Sequence, residues 1–267
     1  MRTYHLTITM NMLIATDIGN SSITIGYFSD RGLLVQRIPT LPLKKSEEYQ
    51  EMMNSFIREN NINKSGCNSI ISSVVLSHTE VLTTALKGLS GRRDAAILVV
   101  NHTMTGTGFK ILNPEKLGTD RIANAVAAFS LVRKPVAVID FGTATTISIV
   151  DGNGDYIGGS IMPGIGLMNE SLGAKTSKLK LVDIQVPETA LGKDTEACIR
   201  TGLLVGTAGA VERIVSEIEK ETDQEYSVVL TGGHASLIDR FISRPHIMNL
   251  HLTLEGLKIL YEKNRPQ

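Results

Sequence analysis

The sequence predicts an α/β fold built as two related domains, and three observations carry the prediction. A turn of the form Asp-x-Gly between β-rich runs is written twice, in IATDIGNSSITIGY and in VAVIDFGTATTISIV. Around each copy, short β-branched runs alternate with helical patterns, the mark of strands layered against helices. At 267 residues the chain exceeds one typical domain and suits two of middling size.

The two copies share one offset: Asp17 falls on Asp140, Gly19 on Gly142, Asn20 on Thr143 and Ser22 on Thr145. Beyond the turn the match degrades, because Ile23 and Ile25 are one residue out of phase with Ile147 and Ile149. An old duplication or a one-residue slip leaves such a pattern. A glycine lets backbone N–H groups approach an anion, hydroxyls add donors, and an aspartate at the strand end can hold a cation. Two such turns suit one nucleotide gripped from both sides of a cleft. Either turn alone also reads as a plain hairpin with a polar tip.

Taken in order, Leu13 to Phe28 reads as a hairpin, Ser29-Asp30-Arg31-Gly32 as its closing turn and Leu33 to Ile38 as a third strand. Ser46-Glu47-Glu48 opens a helix whose apolar face runs through Tyr49, Met52, Met53, Phe56 and Ile57. Ser69 to Leu76 is a β-branched run suited to a buried parallel strand, Thr79 to Gly88 a helix and Ala95 to Val100 another strand. Asn113-Pro114 breaks the chain before a helix from Thr119 to Leu131, and Pro135 to Asp140 opens a second α/β pattern. Strands at Thr145 to Val150 and Tyr156 to Met162 follow, then a helix from Thr195 to Glu221 and a strand at Val228 to Leu230. Thr231-Gly232-Gly233 leads into a helix near Ser236 to Ile242, and Glu255 to Lys263 reads as a closing helix. Residues 1–11 read as an N-terminal extension or one extra strand, which places the domains at 12–117 and 118–267.

Lys+Arg and Asp+Glu are both 27, so no overall basic field favours nucleic acid or an anionic membrane, and small anions must be held locally. Cys67 and Cys198 lie far apart without a CxxC or a histidine cluster, which speaks against a zinc site or a disulfide framework and for a reducing cytoplasm. The longest apolar candidate, GLLVGTAGAV from Gly202, is too short to span a bilayer. No GxxxxGK[ST], GxSxG or HExxH is present, and Gly164-Ile-Gly166 lacks the third glycine of a dinucleotide fingerprint.

Between the turns lies Leu117-Gly118-Thr119-Asp120-Arg121, directly before IANAVAAF. Asp120 can accept from a hydroxyl while Arg121 pairs with a carboxylate, which suits a hydroxy acid. The same residues also read as an N-cap, an acidic first turn and a solvated cation. A carboxylate in the first turn of a helix beside Arg121 is expected to have its basicity lowered.

The set DIGN, LGTDR, DFGTATT, GGSIMPG and TGGHA, in this order and spacing from Met12 to the C-terminus, resembles type III pantothenate kinase, the bacterial enzyme of coenzyme A synthesis. The resemblance implies the actin-like ATPase (ribonuclease H-like) fold and ATP-dependent phosphorylation of pantothenate to 4′-phosphopantothenate. It implies a first phosphate loop of Asp17, Ile18, Gly19, Asn20, Ser21, Ser22, Ile23 and Thr24, with Thr143 touching ATP from the second turn; Gly232 and Gly233 read either as a contact to the adenosine, as a glycine pair after a strand makes in this fold, or as a tight strand-to-helix turn. Gly118, Thr119, Asp120 and Arg121 match the pantothenate-binding segment, with Asp120 as proton acceptor. Asp140 matches the place of a monovalent cation, K+ or NH4+, and Asp17 is the expected carboxylate for Mg2+. Thr176 is similar to a threonine that reaches pantothenate from the neighbouring subunit, which implies a homodimer. One departure stands out: the family's tyrosine seven residues before the glycine of GxDR is here Ile111. That difference keeps open a kinase of another hydroxy acid on the same fold, and a non-catalytic nucleotide-binding relative is the third reading.

Overall fold

Each Asp-x-Gly turn joins the first two strands of a five-stranded sheet, and the two sheets share one order and one pattern of directions. The structure is a computed structural model and describes residues 12–63, 67–91, 97–104, 106–175, 179 and 181–265. The expected extension at 1–11 and Thr176 lie outside these residues. In chain order the elements are β1 (Leu13–Ile18), β2 (Ser22–Ser29), β3 (Gly32–Pro39), α1 (Ser46–Glu59), β4 (Asn68–Ser73), α2 (Leu76–Ser90), β5 (Ile97–Val99), α3 (Thr119–Val132), β6 (Val136–Phe141), β7 (Ala144–Val150), β8 (Tyr156–Pro163), α4 (Ile165–Lys175), α5 (Thr195–Thr222), β9 (Ser227–Thr231), α6 (Ala235–Ile238), β10 (His246–Met248) and α7 (Leu252–Asn264).

The first unit gathers the described residues through Gly106, together with Glu115–Ala123 and the last helix from Thr253. Its sheet runs β3-β2-β1-β4-β5, with β1 antiparallel to β2 and parallel to β4. Alternation along β2 turns Ile23, Ile25 and Tyr27 into a core shared with Tyr49, Met53 and Ile57 of α1 and Leu82, Ala85 and Leu86 of α2. Tyr27 stacks on Phe56 at 4.9 Å between ring centroids and donates its hydroxyl to Gln36 at 2.7 Å. The Lys45 N–H is received by the Glu48 carboxylate at 2.9 Å, which satisfies an N–H at the entry to α1, and Gly91 closes α2 in the left-handed region at φ 64°. Helix α7 belongs to this unit: Leu254 packs beside Gly26, and the Lys258 ammonium sits 5.4 Å above the Phe28 ring.

The second unit gathers Thr107–Pro114 and Asn124–Leu252. Its sheet runs β10-β9-β6-β7-β8, so that β6, β7, β8, β9 and β10 repeat β1, β2, β3, β4 and β5 in position and direction. Its core joins Ile139, Phe141, Ile147 and Ile149 to Leu203, Leu204, Ala208, Val211 and Val215 of α5. Asp194 accepts the Ala197 N–H at 2.8 Å and starts α5, and Asp223 ends it at φ 49°.

The strand registers settle the phase difference. In the first sheet Asp17 faces Thr24 and Ile18 faces Ile23, whereas in the second Asp140 faces Thr146 and Phe141 faces Thr145. Gly19–Ser21 separate β1 from β2, but only Gly142 and Thr143 separate β6 from β7, so the second turn is one residue shorter. Ile25 therefore corresponds to Ile147, and both are buried.

Several elements depart from the sequence reading. Strand β4 stops at Ser73 and α2 starts at Leu76, because the apolar run that was expected to stay extended turns into a helix there. Helix α4 and strand β10 were not expected, and the helix after Thr231 is a four-residue turn continued as a 3-10 helix at Asp239–Phe241. No helix among the described residues is long and apolar enough to cross a membrane, and no disulfide joins Cys67 and Cys198.

Candidate active site

The first turn is built from hydroxyls. Gly19 N–H bonds to Ser22 O at 3.0 Å, leaving Asn20 and Ser21 exposed at the tip. Thr40, just past β3, clamps it: its N–H donates to Ser21 O at 3.2 Å and its hydroxyl to Gly19 O at 2.7 Å. His78 of α2 holds Thr40 in turn, with Nε2 at 2.7 Å from the Thr40 carbonyl, an acceptor, so that Nε2 carries the proton and Nδ1 receives Ser77 Oγ–H at 3.2 Å. Ile18 and Ile23 point into the core and leave only backbone atoms to face a ligand. Asp17 is half-buried and accepts from Ser72 Oγ at 2.9 Å.

Ser72 lies opposite Asp17 on the neighbouring parallel strand and also touches Thr119 Oγ1 at 3.0 Å. Thr119 Oγ1 further accepts the Ser73 N–H at 2.9 Å. Within the first unit the structure thus brings the predicted phosphate turn and the predicted acceptor segment together. Gly118 O accepts the Arg121 and Ile122 N–H groups at the start of α3, and Asp120 Oδ1 accepts the Arg121 N–H at 2.8 Å. Although part of Asp120 stays open, burial pushes its carboxyl above the ordinary value, against the lowering effect of the Arg121 N–H, the Arg121 guanidinium and its own N–H. The expectation of lowered basicity is therefore corrected: desolvation outweighs the helix start and the neighbouring cation.

The second turn is built from close backbone approach. Gly142 N–H bonds to Ala144 O at 3.1 Å and Thr143 O receives the Gly164 N–H at 3.1 Å. A Cβ at position 164 would collide with Gly142 O and Thr143 O, so the Pro163-Gly164 step can lie against the turn only as glycine. From the other side comes Gly232, at φ +98°, where a Cβ would collide with the Asp140 carboxylate and the Phe141 backbone. The His234 N–H donates to Phe141 O at 3.0 Å, and burial pushes its imidazole below the ordinary value; its buried Nδ1 has no partner among the described residues. Asp140 Oδ2 accepts the amide of Asn124 at 3.0 Å. Thr145 is buried, so Thr143 and Thr146 are the partly accessible hydroxyls of this turn.

Ile111 is half-buried in the second unit, on a segment fixed by Lys110. Lys110 N–H bonds to Tyr156 O at 2.9 Å, and its ammonium pairs with Asp151 at 2.6 Å and Asp155 at 3.1 Å. Ser72, Asn124 and Thr40 escaped the sequence reading. The doubled serine closing an apolar run in IISSVV, and an asparagine inside IANAVAAF, were the signals available for the first two. Among the described residues no group of three or more His, Cys, Asp or Glu gathers as a metal cluster. A groove of about 1140 Å³ between α4 and α5 is lined by Leu167, Leu172, Cys198, Ile199 and Leu203 among others, and by none of the predicted site residues that lie among the described ones. Among the described residues its walls are mostly aliphatic, with Ser171, Lys193, Asp194 and Thr195 as polar members.

A family model described as type III pantothenate kinase matches residues 13–217. A type III pantothenate kinase of Moorella thermoacetica is 34% identical over 255 residues, covering 95% of this chain and 100% of that protein. Among solved structures, an archaeal actin homologue is similar at a TM-score of 0.54 with 13% identity, covering 95% of this chain and 100% of its own. A ROK hexokinase from Thermus thermophilus gives 0.50 with 15% identity, covering 93% and 97%. At these identities the two structures speak for the fold alone, which is the actin-like ATPase fold that the motif resemblance implies.

Proposed function

The chain belongs to the type III pantothenate kinase family, a kinase that phosphorylates pantothenate with ATP for coenzyme A synthesis, and from that premise we propose how its residues divide the work. Asp17 to Thr24 and Thr143 hold the ATP phosphates, and Gly232 and Gly233 lie along the adenosine. Gly118 to Arg121 hold pantothenate, with Arg121 on its carboxylate and Asp120 on the hydroxyl that attacks. The observation that carries this division is the hydrogen-bonded link between Asp17, Ser72 and Thr119, which supports one assembly of phosphate turn and acceptor segment.

In a loose phosphoryl-transfer transition state the hydroxyl proton leaves late, so the acceptor group mainly aligns the nucleophile. Burial makes Asp120 a better proton acceptor than its place at a helix start suggests. Mg2+ takes oxygen ligands, and a half-buried carboxylate oriented by a serine hydroxyl suits it, so Asp17 would hold it. When bound it neutralises charge on the transferring phosphoryl group. Asp140, with one oxygen fixed by the Asn124 amide, would hold the monovalent cation, K+ or NH4+. Ile111 gives the substrate pocket an apolar wall where the family has a phenol.

A homodimer is proposed as well, with Thr176 reaching the partner's pantothenate. The support is the resemblance together with an open face on α5, where Gly202, Gly206 and Gly209 have nothing among the described residues within 4 Å of a Cβ position. A cytoplasmic setting fits two cysteines without a disulfide. The test of the whole reading is ADP release coupled to a reporter, with and without pantothenate and with K+ exchanged for Na+. Pantothenate-dependent ADP that falls in Na+ is expected; no pantothenate-dependent ADP in K+ sinks the reading.

A further inference from the structure

We propose that Ser72 is a positioning residue of the phosphate-transfer site, the middle of a directed hydroxyl relay that runs from the backbone through Thr119 to the Asp17 carboxylate. The proposal rests on reading Asp17 as the carboxylate of the phosphate turn.

The direction of the relay follows from counting protons. Ser72 is wholly buried, where a hydroxyl without partners is costly. An ionised carboxylate only accepts, so the single Ser72 proton goes to Asp17 Oδ1, 2.9 Å away. The 3.0 Å contact between Ser72 and Thr119 then has one possible donor, Thr119. Its alternative acceptor, Ser73 O, is farther, at 3.2 Å. Thr119 Oγ1 in turn accepts the Ser73 N–H at 2.9 Å. The chain therefore reads Ser73 N–H to Thr119 O–H to Ser72 O–H to Asp17, each link polarised by the next, and it ends on a charge. Such a bond fixes the rotamer of the carboxylate that receives it. The Thr119 hydroxyl, committed on both sides, acts through Asp17, and any shift of the Gly118 to Arg121 segment is felt at the phosphate turn.

The neighbouring Ser73 has another task. Its hydroxyl donates to Val75 O at 3.1 Å and receives the Val75 N–H at 3.1 Å and the Thr79 hydroxyl at 2.8 Å, all at the entry to α2. Only its backbone enters the relay, which makes Ser73→Ala a control for structure without relay.

The experiment measures ADP affinity in the presence of Mg2+ by calorimetry, thermal melting, and the kinetic constants of the full chain, for Asp17→Asn, Ser72→Ala, Thr119→Val, Thr119→Ser, Ser73→Ala and the Ser72→Ala/Thr119→Val double variant. Groups that orient a metal-binding carboxylate typically contribute about 10–100-fold in affinity, so Ser72→Ala is expected to weaken Mg·ADP about 10-fold, with pantothenate KM changed less than about 2-fold. Thr119→Val weakens Mg·ADP about 3-fold, Thr119→Ser restores it, and the double variant is no weaker than Ser72→Ala, because one relay cannot be cut twice. Ser73→Ala melts earlier but keeps its Mg·ADP affinity. Should Ser72→Ala fail to fold, Thr119→Val decides the same question. Weak Mg·ADP binding by Asp17→Asn together with unchanged binding by Ser72→Ala or Thr119→Val overturns the relay. Unchanged binding by Asp17→Asn overturns the reading of the turn beneath it.

Discussion

The two Asp-x-Gly turns occupy equivalent places in two sheets of identical topology, yet they are held by different physics. The first is secured by side-chain hydroxyls and one histidine: Thr40, Ser72, Thr119 and His78. The second is one residue shorter and is secured by backbone pressed against backbone at Gly164 and Gly232, with Asn124 on its aspartate. Hydrogen bonds of moderate strength can be weakened in steps, whereas a collision between a Cβ and a carbonyl cannot be relieved without moving a strand. A duplicated frame thus fixes where a turn sits, and local packing decides how it tolerates change.

The widest contrast is expected at Asp120, in the unit whose turn is tied by hydroxyls. Asp120→Asn should lower kcat by about 100-fold or more while ADP affinity stays within about 2-fold, as expected for a proton acceptor. Because burial raises the folded-state pKa of this acid above its ordinary 3.8, the charged form is disfavoured by folding and its cost appears as pH rises through the folded value. Asn can still accept the Arg121 N–H, so the variant should melt no lower than the parent at pH 7. A lower melting temperature together with weakened ADP binding would show a structural role instead.

Next in size is the glycine pair. Gly232→Ala meets both a positive φ and a collision with Asp140 and Phe141, and should cost roughly 2–5 kcal/mol in urea unfolding. Gly19→Ala, whose Cβ would sit 3.1 Å from Ser22 O without a positive φ, should cost about 1 kcal/mol. Equal costs would break the distinction between the turns. Thr40→Val is the graded case: losing the hydroxyl bond to Gly19 O should remove about 1 kcal/mol.

The smallest effect concerns the sheet edges. His246 in β10 bonds through Nδ1 to Arg244 O and through Nε2 to Asp239, both at 2.8 Å. Burial lowers its pKa, but the Arg244 carbonyl and the Asp239 carboxylate raise it further, so the net value lies above the ordinary 6.5. Protonation therefore stabilises the fold; the contribution is full below pH 6.5 and is lost as pH rises through the folded value. Hydrogen exchange at β10 amides should quicken over that window more than the intrinsic rate, and His246→Ala should abolish the excess. The corresponding edge, β5, should show no such excess.

Much of this was legible in the sequence because it is local. The hairpins around both turns and the start of α3 at Thr119 follow from β-branched alternation and a glycine before a polar helix entry, and the long α5 was also expected, from Thr195 to Glu221. Helix α4 was hidden because its residues, Ile165 to Lys175, include two glycines and little contrast between faces. Strand β10 is three residues long, too short for alternation to show. The boundary between β4 and α2 falls within an apolar run, and hydrophobicity alone does not mark where extended chain becomes helix.

By itself the sequence determined the doubled turn, the α/β alternation and the family motifs, all of which depend on residues adjacent in the chain. Only the tertiary structure decided that Asp17 answers to Ser72, 55 residues away, and Asp140 to Asn124 and Gly232. It also returned the last helix to the first sheet and raised the basicity of Asp120 where its neighbours in sequence argue for lowering it. The physical reason is the same in each case: burial and hydrogen-bond partners are properties of the packed chain, and they outweigh the charges and propensities that a segment carries alone.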